Sequence, residues 1–177
     1  KGEVAVLNHP GSATTGPLFG NATTEILLFD RNGRFIREIG HKVYGFGYGH
    51  SIRYDRYDNL WLVDKGTDSV IKFDPTGKVL MNLGRRPEGF DSAHIEHAKQ
   101  ADARAVDGWF GSPTDVTWDQ DDNIYVSDGY VNSRIAKLNK YGDWIKSWGK
   151  YGKGGKNADE NPYSFDNPHN LQADRQG

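Results

Sequence analysis

An all-β fold is what this sequence predicts, on three observations: 22 glycines in 177 residues, 9 Tyr, 8 Phe and 5 Trp against a single Met, and a four-strand text that occurs twice. The glycine and aromatic excess suits short strands joined by tight turns better than packed helices. The repeat narrows the architecture. Four antiparallel strands in series, recurring at blade-like length, are the mark of a β-propeller, in which no sheet can bury its faces without its neighbours.

The elements follow in chain order, with the four strands of a blade lettered A to D. Val4-Ala5-Val6-Leu7 fits strand B, and Glu25 to Ile36 supplies C and D around a turn at Gly33. Ser51 to Tyr54 is the first strand A. It leads into Asp58-Asn59-Leu60-Trp61-Leu62-Val63-Asp64, a turn and strand B, then Val70-Ile71-Lys72-Phe73, a turn at Gly77, and Val79 to Leu83. The same text returns as Asp115 to Trp118, Asp122-Asn123-Ile124-Tyr125-Val126-Ser127-Asp128, Ile135-Ala136-Lys137-Leu138, Gly142 and Trp144 to Trp148. Between the copies lies an insertion, Arg85 to Trp109. Ser92 can cap a helix there and Ala98 to Ala105 are good helix formers, so a short surface helix is expected. Phe165 to Asp174 repeats the approach to strand A, which is placed at Asn170 to Ala173.

The order B-C-D, A-B-C-D, A-B-C-D, A amounts to about three four-stranded blades of a six-bladed wheel. They form one partial propeller over residues 1–177, with blade ends near 40, 84 and 149 and the insertion at 85–109. An open array leaves bare faces and edges. Either further blades exist in a longer natural chain, or a homodimer completes the propeller.

The charges nearly cancel, with 22 Lys+Arg against 24 Asp+Glu and a formal net charge of -2, so no basic field points to nucleic acid or to an anionic membrane surface. No apolar stretch approaches the roughly 20 residues of a bilayer-spanning helix. Neither kind of partner is expected. Zero cysteines exclude disulfides and Cys-ligated zinc without fixing the compartment. An extracytoplasmic or secreted setting is the working expectation.

Propeller strand A lies nearest the axis, so residues at its start converge from different blades. That position holds His50, Thr114 and His169 in successive copies. The two histidines are two blades apart. On a six-bladed wheel this is a threefold relation, and three imidazoles around an axis suit a zinc ion with one open position, the third ligand lying outside this chain. Incidental channel histidines are the alternative reading. His94-Ile95-Glu96-His97 lacks the His-Glu-x-x-His spacing, and Gly152-Lys153-Gly154-Gly155-Lys156 lacks the Gly-Lys-Ser/Thr end of a phosphate loop. Asp55, Asp58, Asp119, Asp121 and Asp122 fall in A-B hairpins and read as turn formers.

Ser112-Pro113-Thr114-Asp115-Val116, Val126-Ser127-Asp128-Gly129-Tyr130-Val131-Asn132-Ser133-Arg134-Ile135, Trp148-Gly149 and Asn167-Pro168-His169-Asn170-Leu171 resemble the NHL-repeat propeller of peptidyl-α-hydroxyglycine α-amidating lyase. The resemblance implies a six-bladed wheel with a zinc held by three histidines, cleaving peptidyl-α-hydroxyglycine to a peptide amide and glyoxylate. It implies metal ligands at His50 and His169 and a catalytic tyrosine at Tyr130, whose phenolate would take the substrate hydroxyl proton. The sequence departs from that family at Pro10, where it carries an arginine, and at Val131, where its animal members carry a disulfide cysteine. The other function class is a non-catalytic NHL-repeat propeller that binds a protein or carbohydrate.

Overall fold

The computed structural model describes residues 2–8, 24–41, 43, 45–84, 106–152 and 163–174. The helix expected in the insertion, His94, His97, Pro10 and residues 153–156 of the Gly/Lys loop lie outside them. Among the described residues no helix is long and apolar enough to cross a membrane.

Three antiparallel sheets carry the chain. The first is β1 (Val4–Asn8), β2 (Glu25–Phe29) and β3 (Phe35–Ile39). The second runs β4 (Gly49–Tyr54), β5 (Leu60–Asp64), β6 (Ser69–Phe73), β7 (Val79–Leu83), and the third β8 (Asp115–Trp118), β9 (Ile124–Asp128), β10 (Arg134–Leu138), β11 (Trp144–Trp148). In all three, every ladder joins strands adjacent in sequence, as a propeller-like array requires.

Local chemistry makes the repeat. At the β4–β5 turn the Asp55 carboxylate accepts from the Tyr57 and Asn59 amides, both at 2.9 Å, while Asp58 takes a positive φ of 62°. At β8–β9, Asp119 accepts from the Asp121 and Asn123 amides at 3.0 and 2.9 Å, and Asp122 has a φ of 64°. These carboxylates are turn formers, each Asx loop satisfying donors that a tight hairpin leaves unpaired. Burial raises the Asp119 pKa, but the hydrogen bonds from Asn123, Tyr125 and Lys137 outweigh it and hold this carboxyl at about 2. Its contribution to stability is thus present above the ordinary carboxylate range and is lost as pH falls toward 2.

Packing follows from period-2 alternation on both faces of the middle sheet. Leu60 and Leu62 turn toward the first blade, where they meet Ile26, Leu28 and Ile39, while Trp61 and Val63 turn toward the third, against Val116, Ile124 and Val126. All five residues of β5 are buried. Trp61 stacks at a tilt on Trp118, centroids 5.1 Å apart. Burying each large apolar side chain contributes roughly 1.5–3 kcal/mol, which is why the central blade is apolar on both faces.

Two details differ from the sequence expectation. Asn170 to Ala173 is not a strand: the Leu171 amide donates to Asp115 Oδ2 at 3.1 Å and the Ala173 amide to Thr117 Oγ1 at 3.4 Å, with no ladder partner among the described residues. An extended segment becomes a strand only when another backbone pairs with it. Outside the three sheets, β12 (Lys150–Tyr151) and β13 (Ser164–Phe165) form a two-residue parallel ladder, an exception to all-antiparallel pairing.

Candidate functional site

The inner strands β4 and β8 and the segment after β13 bring His50, Thr114 and His169 to one place. His50 sits where the β4–β5 register shifts between Gly49 and Ser51, so a bulge turns its ring out of the ladder. Its Nδ1 lies 2.7 Å from the Thr114 carbonyl, and His169 Nδ1 lies 2.5 Å from the Asn167 carbonyl. A carbonyl only accepts, so in both neutral rings Nδ1 carries the proton and Nε2 keeps its lone pair.

Those lone pairs face Tyr130, in the turn between β9 and β10. The Tyr130 hydroxyl is 3.0 Å from His169 Nε2 and 3.4 Å from His50 Nε2, and the two imidazole centroids are 5.3 Å apart. Burial holds the His50 pKa below its ordinary value; the Thr114 hydrogen bond opposes this, and the charges of His169 and Lys65 add to it.

Thr114 is the clamp. Its hydroxyl donates to the Pro168 carbonyl at 2.7 Å and shares a 2.7 Å hydrogen bond with Ser127 Oγ, while its own carbonyl orients His50. Close approach on the other side depends on Gly129: a Cβ there would overlap the Pro168 carbonyl oxygen and press on Thr114 Cγ2 at 3.0 Å. Gly129→Ala is expected to destabilise the chain by about 1–3 kcal/mol through overpacking and to part Tyr130 from His169. Thermal unfolding and the His169 imidazole NMR shifts measure both, and unchanged values would show that the loop yields at no cost.

The donor set suits a metal such as zinc in part. Two neutral imidazoles offer Nε2 to a common point beside an aromatic hydroxyl, with tautomers set by backbone carbonyls as metal-bound histidines require. Among the described residues no group of three His, Cys, Asp or Glu side chains converges.

Sequence reasoning missed Lys65, in the β5–β6 turn. Its Nζ lies 4.3 Å from the Tyr130 ring centroid and 4.5 Å from that of Tyr48. The signal was in the repeat: Asp64-Lys65 occupies the place of Asp128-Gly129, beside the tyrosine turn.

The chain is 30% identical over 116 residues to peptidyl-alpha-hydroxyglycine alpha-amidating lyase 1 of Drosophila melanogaster, across 66% of this chain and 19% of that protein. This chain resembles the α-amidating lyases. Peptidylglycine alpha-amidating monooxygenase of Rattus norvegicus is 31% identical over 148 residues, 82% of this chain and 13% of that protein, so the chain spans under a fifth of the length of either relative. A solved structure of a protein of unknown function from Bacteroides thetaiotaomicron superimposes with a TM-score of 0.51 at 16% identity, over 82% of this chain and 36% of that one, and shares the fold. No protein-family model matches, so the NHL reading of the repeats rests on their motif residues alone. The chain is thus an all-β array of antiparallel sheets with sequence similarity to the α-amidating lyases.

Proposed function

We propose that residues 1–177 form a partial NHL-repeat propeller belonging to a six-bladed wheel, and that it carries the metal and tyrosine part of a lyase site acting on peptides that end in α-hydroxyglycine. The supporting observation is the convergence of two proton-free Nε2 atoms on the Tyr130 hydroxyl. His50 and His169 would hold a zinc ion through Nε2, with a third ligand from outside this chain. Zinc bound there supplies Lewis acidity. In the reaction the substrate hydroxyl loses its proton, its carbon becomes the aldehyde of glyoxylate, the carbon–nitrogen bond breaks, and the departing amide nitrogen takes a proton. Tyr130 is the residue placed to move the hydroxyl proton, and the Thr114 and Asn167 carbonyls keep both rings in the required tautomer.

The β1 edge and residues 170–174 are the natural joints to further blades, supplied by the same natural chain or by a second copy.

Zinc titration of the chain, of His50→Ala and of His169→Ala tests the reading. Two imidazoles give weak binding, and each substitution is expected to lower affinity by about tenfold or more. Superimposable curves for all three proteins would make the histidines incidental and leave a binding propeller for a protein or carbohydrate. If zinc binds, a glyoxylate assay on a peptide ending in α-hydroxyglycine, with Tyr130→Phe as control, tests the chemistry.

A further inference from the structure

Lys65 carries a charge that no described carboxylate answers. Its main-chain amide donates to the Tyr48 carbonyl at 3.0 Å, which fixes the base of the side chain, and the Tyr48 and Tyr130 rings hold its ammonium between them. The adjacent Asp64 does not pair with it. Asp64 Oδ1 is occupied by the Tyr48, Gly66 and Thr67 amides and the Thr67 hydroxyl, and its Oδ2 is buried without a hydrogen-bond partner. Among the described residues, every ion pair involves other side chains. Lys65 is thus half-buried, with its ammonium against the ring whose hydroxyl meets both histidines. A cation placed by two aromatic faces keeps its N–H donors available for an anion.

We propose that Lys65 is the anion-recognition residue of this site and that its ligand is the terminal carboxylate of a peptide. This rests on the reading of His50, Tyr130 and His169 as one site, and it assigns that site's specificity. A carboxylate on Lys65 directs the neighbouring backbone atoms of the ligand across the Tyr130 ring toward its hydroxyl. A peptide ending in an amide offers no charge there and is the disfavoured ligand, as a product that must leave should be.

The test uses the full chain, with N-acetylglycine as the anionic probe and N-acetylglycinamide as its neutral counterpart, followed by the imidazole NMR signals of His50 and His169. N-acetylglycine is expected to shift both signals and the amide to bind at least about tenfold more weakly. Lys65→Met, which keeps the aliphatic stem, should lose about tenfold in affinity for N-acetylglycine and with it the preference over the amide, while Lys65→Arg should keep the preference. Zinc titration separates the two readings, because Lys65→Met should bind zinc like the unsubstituted chain whereas His50→Ala should not. Equal N-acetylglycine binding by the Met variant overturns the role of Lys65 and leaves the histidine site standing. Absence of any N-acetylglycine shift in the unsubstituted chain also overturns it. Loss of zinc binding in the Met variant would show that Lys65 holds the site together and recognises nothing.

Discussion

Arg134→Ala is expected to cost about 3–5 kcal/mol of stability, because it strands a carboxylate in the interior. Arg134 is 2% exposed, and its Nε donates to Asp128 Oδ2 at 3.0 Å. Its Nη2 donates to the Val106 and Trp109 carbonyls at 3.0 and 2.5 Å, and its guanidinium lies 4.9 Å from the Trp144 ring centroid. Asp128 is fully buried; its Oδ1 accepts from the Gly111 amide and its Oδ2 also from Asn132. Burial already pushes the Asp128 pKa up, with Arg134 as the opposing charge. Without the guanidinium the buried Asp128 carboxylate loses its counter-charge, and the Val106 and Trp109 carbonyls lose the donor that ties them to the blade. The measurement is urea unfolding of Arg134→Ala beside Arg134→Ala/Asp128→Asn. The double variant should recover part of the loss, and a single variant within about 1 kcal/mol of the parent would refute the argument.

Asp115→Ala is expected to cost about 2–4 kcal/mol and to disperse the candidate site as well. The fully buried Asp115 carboxylate takes Arg53 bidentately, Nε at 2.9 Å and Nη2 at 2.6 Å, and also accepts from Ser51 Oγ at 3.2 Å and the Leu171 amide at 3.1 Å. Burial alone would raise its pKa, but the Arg53 and Leu171 hydrogen bonds hold it below the ordinary range. One carboxylate therefore fastens the strand bearing His50, the strand next to Thr114 and the segment bearing His169. In Asp115→Ala the His50 and His169 imidazole signals should lose their mutual ring-current shifts, and zinc affinity should fall with stability. Asp115→Asn keeps the shape but not the charge, and should fall between. If the variant is destabilised while both imidazole signals stay in place, Asp115 secures the blades without positioning the site.

What the sequence made legible follows from where its information is local. The Asp-x-x-Asp-Asn hairpins are read directly because each Asx loop is closed by residues within a few positions, and β8 starts and ends where the alternation placed it. The meeting of His50 and His169 was readable because both occupy the repeat position at the start of strand A, whereas Tyr130 was placed beside them by the resemblance and by the loop after strand B opening on the same face. Their chemistry still stands as a proposal. Asn170 to Ala173 misled because its residues match strand A while a strand also needs a partner, which no property of the segment encodes. Lys65 was missed for a like reason: the repeat places it beside the tyrosine turn, but its neighbours Tyr48 and Tyr130 come from two blades, and that meeting is not written in the segment itself. The clamping role of Thr114 was hidden behind its departure from histidine at that position.

Each ladder in the three sheets connects strands that follow one another along the chain. Such a topology has low contact order, so each hairpin closes a short loop and forms without waiting for distant residues. The blades then couple only to their neighbours, as in a one-dimensional array. The middle blade, buried on both faces of β5, is the keystone of that array. A lesion in the first blade reaches the third only by passing through it, whereas a lesion in the middle blade uncouples both ends at once.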